Sequence, residues 1–312
     1  MSFSSLGLEI KLLRKNRGFS QKELSRGICS QAQISKIEKG AVYPLAPTLY
    51  ELSSRLGVDI NYFFERALFE RLDYVEEVYS QIREAINDYD YLKVEEIIKI
   101  ERKNPIYNKN LEFKQFIMWH QGICKYHNDN KIEEALSLIV HAFRLTHTEK
   151  YYSEREIEIL NSKGIIHLNN EENLEAIELY KELIDQHEKL KIEKDKTIKI
   201  RLYYNLAKAL NKSNHHDRSI EVCEKGIKYC VENNNMYLFG HLYFQIGFNY
   251  YQMDLNEKSR LYFNKSYTIF DLQNNKNLKD HVKTNFLEKS KEITGDGSAD
   301  SHAYKKQKKP GG

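Results

Sequence analysis

Three stretches of the chain repeat one another: YYSEREIEILNSKGIIHLNNEENLEAIELYKELI, KIRLYYNLAKALNKSNHHDRSIEVCEKGI and LFGHLYFQIGFNYYQMDLNEKSRLYFNKSY. Aligned on Gly164, Ala207 and Gly247, each carries a small residue twelve positions later, at Ala176, Ser219 and Ser259. Each then carries a bulky or apolar residue four beyond, at Tyr180, Cys223 and Phe263. Small residues let two helix backbones approach, and large ones fill the space between successive pairs. Such a chain can bury its apolar faces only by stacking helix pairs in series. With 4 prolines and 14 glycines in 312 residues, little interrupts the helices.

The pattern is tetratricopeptide-like. Its spacings of 43 and 40 residues exceed the usual period of about 34, so the helices are expected to be long. A fourth copy is degenerate: Gly122, in FIMWHQGICKYHNDNKIEEALSLI, finds its alanine, Ala135, one residue late. Residues 73–103 make a weaker pair, and LKDHVKTNFLEKSKEI is expected to cap the stack. The tail GDGSADSHAYKKQKKPGG lacks a helical period and reads as disordered, or in part as an appended segment. In such an array the first helix of each pair lines the inner surface. Glu158, Asn161, Arg201, Asn205, Lys208, His241, Gln245, Phe248 and Tyr251 are expected there. Amides, cations and rings together suit an extended peptide. Taken alone, that face reads equally as a solvated surface.

The first 71 residues have another character. In SQKELSRGICSQAQISKIEKG, Ser20 and Glu23 form a capping box that starts one helix, and Ser30 offers an N-cap for a second. Five helices fit: about Ser5–Arg17, stopped by Gly18; Gln21–Arg26; Gln31–Lys39, ended by Gly40; a fourth opened by Pro47 at its first position and ended by Gly57; and INYFFERALFE, capped by Asp59. Leu6, Ile10, Leu13, Leu24, Ile34, Ile37, Leu49, Leu52 and Leu56 fall inward. Two short helices a few residues apart can cross steeply, as a helix-turn-helix does to enter a DNA groove. This segment holds eleven Lys or Arg against seven acids, whereas residues 72–294 carry a small negative excess. The front can face phosphate and the body has no such bias.

The whole chain carries a net charge of +3 and 41% hydrophobic residues, with no apolar run long enough to span a membrane and no signal-peptide pattern. A cytoplasmic protein is expected. Cys29, Cys124, Cys223 and Cys230 form no C-x-x-C. Cys223 and Cys230 lie about 10 Å apart along one helix, too far to bridge. Catalysis is disfavoured: no G-x-S-x-G, phosphate loop or metal spacing occurs, and His215 and His216 fall in a polar turn between helices. No cofactor or metal is expected.

S-Q-K-E-L-S, I-S-K-I-E-K-G and LYELSSRLGVD, taken in order, resemble the repressor-type helix-turn-helix of phage and bacterial regulators. That likeness implies base contacts from Gln31, Gln33, Ser35 and Lys36, and phosphate contacts from Gln21, Arg14, Lys15, Lys39 and Tyr43. Joined to the repeats, the chain is similar to the peptide-pheromone-responsive regulators of Gram-positive bacteria, the Rgg, PrgX, NprR and PlcR group, above all its PlcR-like members. GLEIKLLRKNRGFSQKELS, SKIEKGAVYP, RLYYNLAKAL and GHLYFQIG carry that likeness. The resemblance implies an all-α fold: a five-helix DNA-binding domain over 1–71, a superhelical array of about five helix pairs over 72–294, and a tail over 295–312. It also implies a homodimer on a palindromic operator and a short signalling peptide held by Asn205, with Asn161 and Gln245 nearby. The basic residues that PlcR-like members offer from their first repeat are mirrored only by Lys93 in DYDYLKVEE, so the peptide sequence does not carry over. Two other readings stand beside this one: repeats that dock a protein partner, or cysteines that sense redox state.

Overall fold

The computed structural model describes residues 3–63, 72–148 and 150–288, and among them every regular element is helical. The chain divides into two compact units, Met1–His120 and Gln121–Gly312.

In the first unit, α1 (Phe3–Asn16), α2 (Gln21–Ser25), α3 (Gln31–Glu38) and α4 (Ala46–Leu56) enclose Leu6, Ile10, Leu24, Ile34, Ile37, Leu49, Leu52 and Leu56, with Phe63 beside them. Both expected caps form. The Glu23 N–H donates to Ser20 Oγ at 3.1 Å and the Ser20 N–H to Glu23 Oε2 at 2.7 Å, while Ser30 Oγ accepts from the Gln33 N–H at 3.1 Å. Gly27, at φ 76°, turns the chain between α2 and α3, a backbone state that L side chains resist. Pro47 stands at the second helical position rather than the first, because α4 begins at Ala46 with Leu45 as an N-cap that makes no side-chain bond. Of the fifth expected helix, residues 60–63 are helical and the remainder lies outside the described residues.

Charge sits inside this module as well as outside it. Arg14 is buried: its Nε donates to Glu38 Oε1 at 2.5 Å, its Nη2 to Glu38 Oε2 at 3.0 Å and its Nη1 to the Phe19 carbonyl at 2.8 Å. Gln21 Nε2 donates to the same carboxylate at 2.9 Å. One bidentate pair thus joins α1, α2 and α3. Burial pushes the Glu38 carboxyl up, but hydrogen bonds from Arg14 and Gln21, with the charges of Arg14 and Lys11, outweigh it and hold the group below its ordinary range.

Later in the first unit lie α5 (Leu72–Asn87) and α6 (Tyr91–Glu101). A short α7 (Pro105–Lys109) leads to α8 (Leu111–His127) and α9 (Ile132–Arg144). The second unit takes in the end of α8 and all of α9, and continues with α10 (Glu154–Asn169) and α11 (Asn173–Glu188), α12 (Thr197–Lys212) and α13 (His216–Glu232), and α14 (Phe239–Gln252) and α15 (Asn256–Leu272). α16 (Lys276–Val282) and a π-helical turn, Lys283–Glu288, close the described stack.

The turns within pairs share one geometry. Glu171, Asn214 and Asp254 take left-handed φ of 64°, 60° and 57°. The next N–H reaches back to the carbonyl five residues earlier: Glu172 to His167 at 3.0 Å, His215 to Leu210 and Leu255 to Tyr250 at 2.9 Å. This is a Schellman closure, and Asn and Asp tolerate it better than other non-glycine residues. The anchor spacing is realised physically. A Cβ on Gly164 would lie 2.6 Å from the Tyr180 ring, and one on Gly247 would lie 2.8 Å from Phe263. Ser219 Oγ donates to the Ala207 carbonyl at 2.7 Å and Ser259 Oγ to the Gly247 carbonyl at 3.0 Å.

Two outcomes follow from the first unit. A Cβ at Gly7 would lie 2.0 Å from the Ile37 carbonyl oxygen, and backbone cannot swing aside. Gly7→Ala is therefore expected to push α1 from α3 at a cost of about 1–3 kcal/mol, measured by chemical unfolding of the full chain; an unchanged midpoint would refute the close contact. Glu38→Ala strands a buried guanidinium and should cost about 3–5 kcal/mol. Because the Glu38 carboxyl is depressed, its stabilisation is complete above the unfolded carboxylate value of roughly 4.3 and fades as pH falls through the folded value. Glu38→Gln should accordingly be less stable than wild type at neutral pH, with the gap closing in acid.

Candidate DNA-reading face and groove

The lock on α3 decides what the helix can present. With Ile34 and Ile37 in the core and Glu38 held by Arg14, the opposite side carries Gln31 and Lys36, both exposed, and Gln33 and Ser35, both half-buried. Four polar side chains along one short helix, with amide and ammonium donors, form a surface able to meet base edges. Lys15 and Lys39 are exposed around it. Tyr43 is half-buried against the core, and Gln21 is partly engaged with Glu38. Arg14 departs from its expected role: buried and bonded on three nitrogens, it is turned inward to Glu38 and positions α3 instead of facing a phosphate. Arg55 is the residue sequence reasoning missed. From α4 its Nη1 donates to the Leu24 carbonyl at 3.1 Å and also meets the carbonyls of Glu23 and Arg26, closing the C-terminal end of α2. Its partners lie some thirty residues away, so no local pattern marks it.

In the second unit the expected groove residues fall on α10, α12 and α14, and several bond to one another across those first helices. Arg201 Nη2 donates to Glu158 Oε1 at 2.8 Å. Asn205 Nδ2 donates to Asn161 Oδ1 at 2.9 Å, both amides being buried. The Tyr204 ring meets His241 at 5.8 Å, edge to face, and the Lys208 ammonium lies 5.5 Å from the centre of the same ring. Burial and the charge of Lys212 push the Lys208 pKa down; burial and Lys208 do the same to His241. Gln245 is buried, Phe248 half-buried and Tyr251 45% exposed, and both rings meet Phe286 of the π-helical turn edge-on.

A buried polar network went unread in the sequence. Asn211 Nδ2 donates to Asn249 Oδ1 at 2.7 Å and also meets Gln252, while Asn249 Nδ2 donates to Ser219 Oγ at 2.9 Å and to the Gln245 carbonyl at 2.8 Å. It joins α12, α13 and α14. The cysteines are free thiols: Cys124, Cys223 and Cys230 are buried and Cys29 half-buried. Burial pushes Cys29 and Cys223 up and Cys230 up to about 11. Thiols held protonated are poor redox sensors, which counts against Cys29, Cys223 and Cys230 in that role. Among the described residues no helix is long and apolar enough to cross a membrane.

The RNPP family C-terminal domain matches residues 79–291, and a helix-turn-helix domain matches residues 10–63. No curated protein matches the chain significantly. Among solved structures, Bacillus thuringiensis PlcR in complex with the peptide PapR7 and DNA is 26% identical. That likeness covers 89% of this chain and 99% of that one, with a TM-score of 0.79. The apo form of the same protein matches at 23% identity, 90% and 98% coverage and a TM-score of 0.64. The SHP pheromone receptor Rgg2 of Streptococcus dysgalactiae matches at 16% identity, 91% and 99% coverage and 0.62, a likeness of fold. Family and fold are those of transcriptional regulators, not of enzymes. With both halves matched in order, and the C-terminal match alone taking in more than half of the residues, the chain belongs to the RNPP family.

Proposed function

We propose that this chain is a sequence-specific DNA-binding transcriptional regulator, switched by a short signalling peptide bound on the inner face of α10, α12 and α14. The carrying observation is the union in one chain of a helix with a free polar face, α3, and a stack whose first helices align amides, a cation and rings. PlcR, similar over most of its length, was solved with a peptide and DNA; we carry over those two ligand classes and nothing finer. Residues 1–71 serve DNA and 72–294 the peptide. A homodimer in the cytoplasm fits this reading, because a palindromic operator needs two recognition helices at fixed spacing.

On this reading Gln31, Gln33, Ser35 and Lys36 meet base edges, while Lys15, Gln21, Lys39 and Tyr43 meet phosphates. Asn161, Asn205 and Gln245 meet peptide backbone. The Asn161–Asn205 bond means that a peptide must insert into an existing amide pair, and Glu158–Arg201 likewise frames the groove instead of offering free charge.

Selection of duplexes from a random pool gives the operator. Lys36→Ala or Gln33→Ala is then expected to lose about 1–3 kcal/mol at one base-pair position, and a triple alanine variant at Gln31, Gln33 and Lys36 that keeps its preference would overturn the assignment of α3. Mass spectrometry of the co-purified peptide gives the ligand. In calorimetric titration Asn205→Ala should lose about 1–3 kcal/mol of peptide affinity while peptide-free DNA affinity stays unchanged. Equal peptide affinity in both proteins would overturn the groove, and wild-type DNA binding indifferent to saturating peptide would overturn the switch.

A further inference from the structure

Counted from Gly164, Ala207 and Gly247, successive first helices present equivalent residues in rows. Glu158, Arg201 and His241 form one row; Asn161, Tyr204 and Phe244 a second; Ile165, Lys208 and Phe248 a third. The first row is closed between α10 and α12 by the Arg201–Glu158 ion pair. The second is packed: Asn161 bonds Asn205, and Tyr204 lies against His241. The third is open. Ile165 is 36% exposed, Phe248 is half-buried, and Lys208 stands between them.

Lys208 differs from every other cation of α12. Lys199 pairs with Glu188 at 3.3 Å, Arg201 with Glu158, and Lys212 donates to the Leu168 carbonyl at 2.7 Å. Lys208 makes no ion pair or hydrogen bond among the described residues; it lies against the face of Tyr204, with Lys212 and His241 near enough to interact with it electrostatically. A half-buried ammonium against a ring keeps only part of its hydration, so an incoming anion meets it in a medium of reduced dielectric, where a charge-assisted hydrogen bond is strong. The adjoining helix brings Gln245, whose side-chain amide has no partner among the described residues, and the Phe248 ring. One carboxylate on an extended chain would find a cation beneath it, an amide for its backbone and a ring for an apolar neighbour.

We propose that Lys208 is the carboxylate anchor of the groove, so that the peptides this chain accepts carry an acidic group, from a side chain or from the C-terminus, seated on its ammonium. The inference rests on the peptide-receptor reading and specifies its ligand chemistry.

The test uses the full chain, immobilised, and four equimolar pools of synthetic octapeptides: acidic residues allowed or excluded, each with a free or an amidated C-terminus. Retained peptides are sequenced by mass spectrometry. Pools that contain a carboxylate should be retained at least about ten-fold better than the pool with none, and the two single-carboxylate pools tell side chain from C-terminus. Lys208→Gln should erase the preference and Lys208→Arg should restore it, both variants unfolding with the wild-type midpoint. Equal retention of the carboxylate-free pool by wild type, or an undiminished preference in Lys208→Gln, overturns the anchor while leaving the peptide reading intact. Retention of none of the four pools overturns the peptide reading, and the anchor falls with it.

Discussion

The contact on which the array depends is the close approach of paired helices at one small residue, with one large side chain laid over it. Gly164 beneath Tyr180 and Gly247 beneath Phe263 leave no room for a Cβ. Between them Ala207 and Ser219 meet by a hydrogen bond from the serine hydroxyl to the alanine carbonyl. Serine at this position keeps the helices close and satisfies a carbonyl that the approach would otherwise crowd away from water. Because the anchor recurs at the same place in each pair, the first helices are held in register. That register, and not any single residue, brings Glu158 opposite Arg201 and Asn161 opposite Asn205. The groove is therefore a consequence of packing on its far side.

The DNA-binding module solves a related problem with charge. Its helices are short, and α2 has only five residues, too few to be stable alone. Arg14 and Glu38 join α1 to α3, Gln21 adds α2, and Arg55 closes the end of α2 from α4. A buried ion pair contributes less to stability than its Coulomb energy suggests, since both charges leave water. What it adds here is orientation, because a bidentate fork fixes α3 about its own axis. With Glu38 and Ile34 turned inward, Gln31 and Lys36 must face out.

Local and periodic signals were legible before the structure. The capping box at Ser20, the N-cap at Ser30, the small-residue anchors and the single helices are each encoded over a short run of sequence, where covalent proximity limits the partners. What could not be read was the choice of partner across distance. Arg14 looks like any surface arginine of a basic module until Glu38, 24 residues on, is placed beside it. Arg201 reads as a free cation until α10 brings Glu158 to it from 43 residues away. Asn211 and Asn249 read as helix-surface asparagines, yet they meet in the core because stacking puts α12 against α14. Residue type announces that a group needs a partner, and only tertiary register says which one it gets.

The same distinction bears on how a peptide could switch the protein. Glu158 with Arg201 and Asn161 with Asn205 are already satisfied without ligand, so a peptide that engages them exchanges one set of hydrogen bonds for another. Affinity beyond that exchange comes from Lys208 and the amide of Gln245, and from the rings of Phe248 and Tyr251 beside Phe286. A single charge-assisted bond supplies about 1.5–3 kcal/mol, whereas moving a two-state equilibrium from 1:99 to 99:1 takes about 5.5 kcal/mol of differential affinity. No one contact suffices. The open groups lie on α12 and α14, which are joined through the Asn211–Asn249 network. A ligand touching both helices acts on that joint, so its contacts add up on a single spacing instead of being dispersed over independent ones, and a short peptide can then reach the required difference.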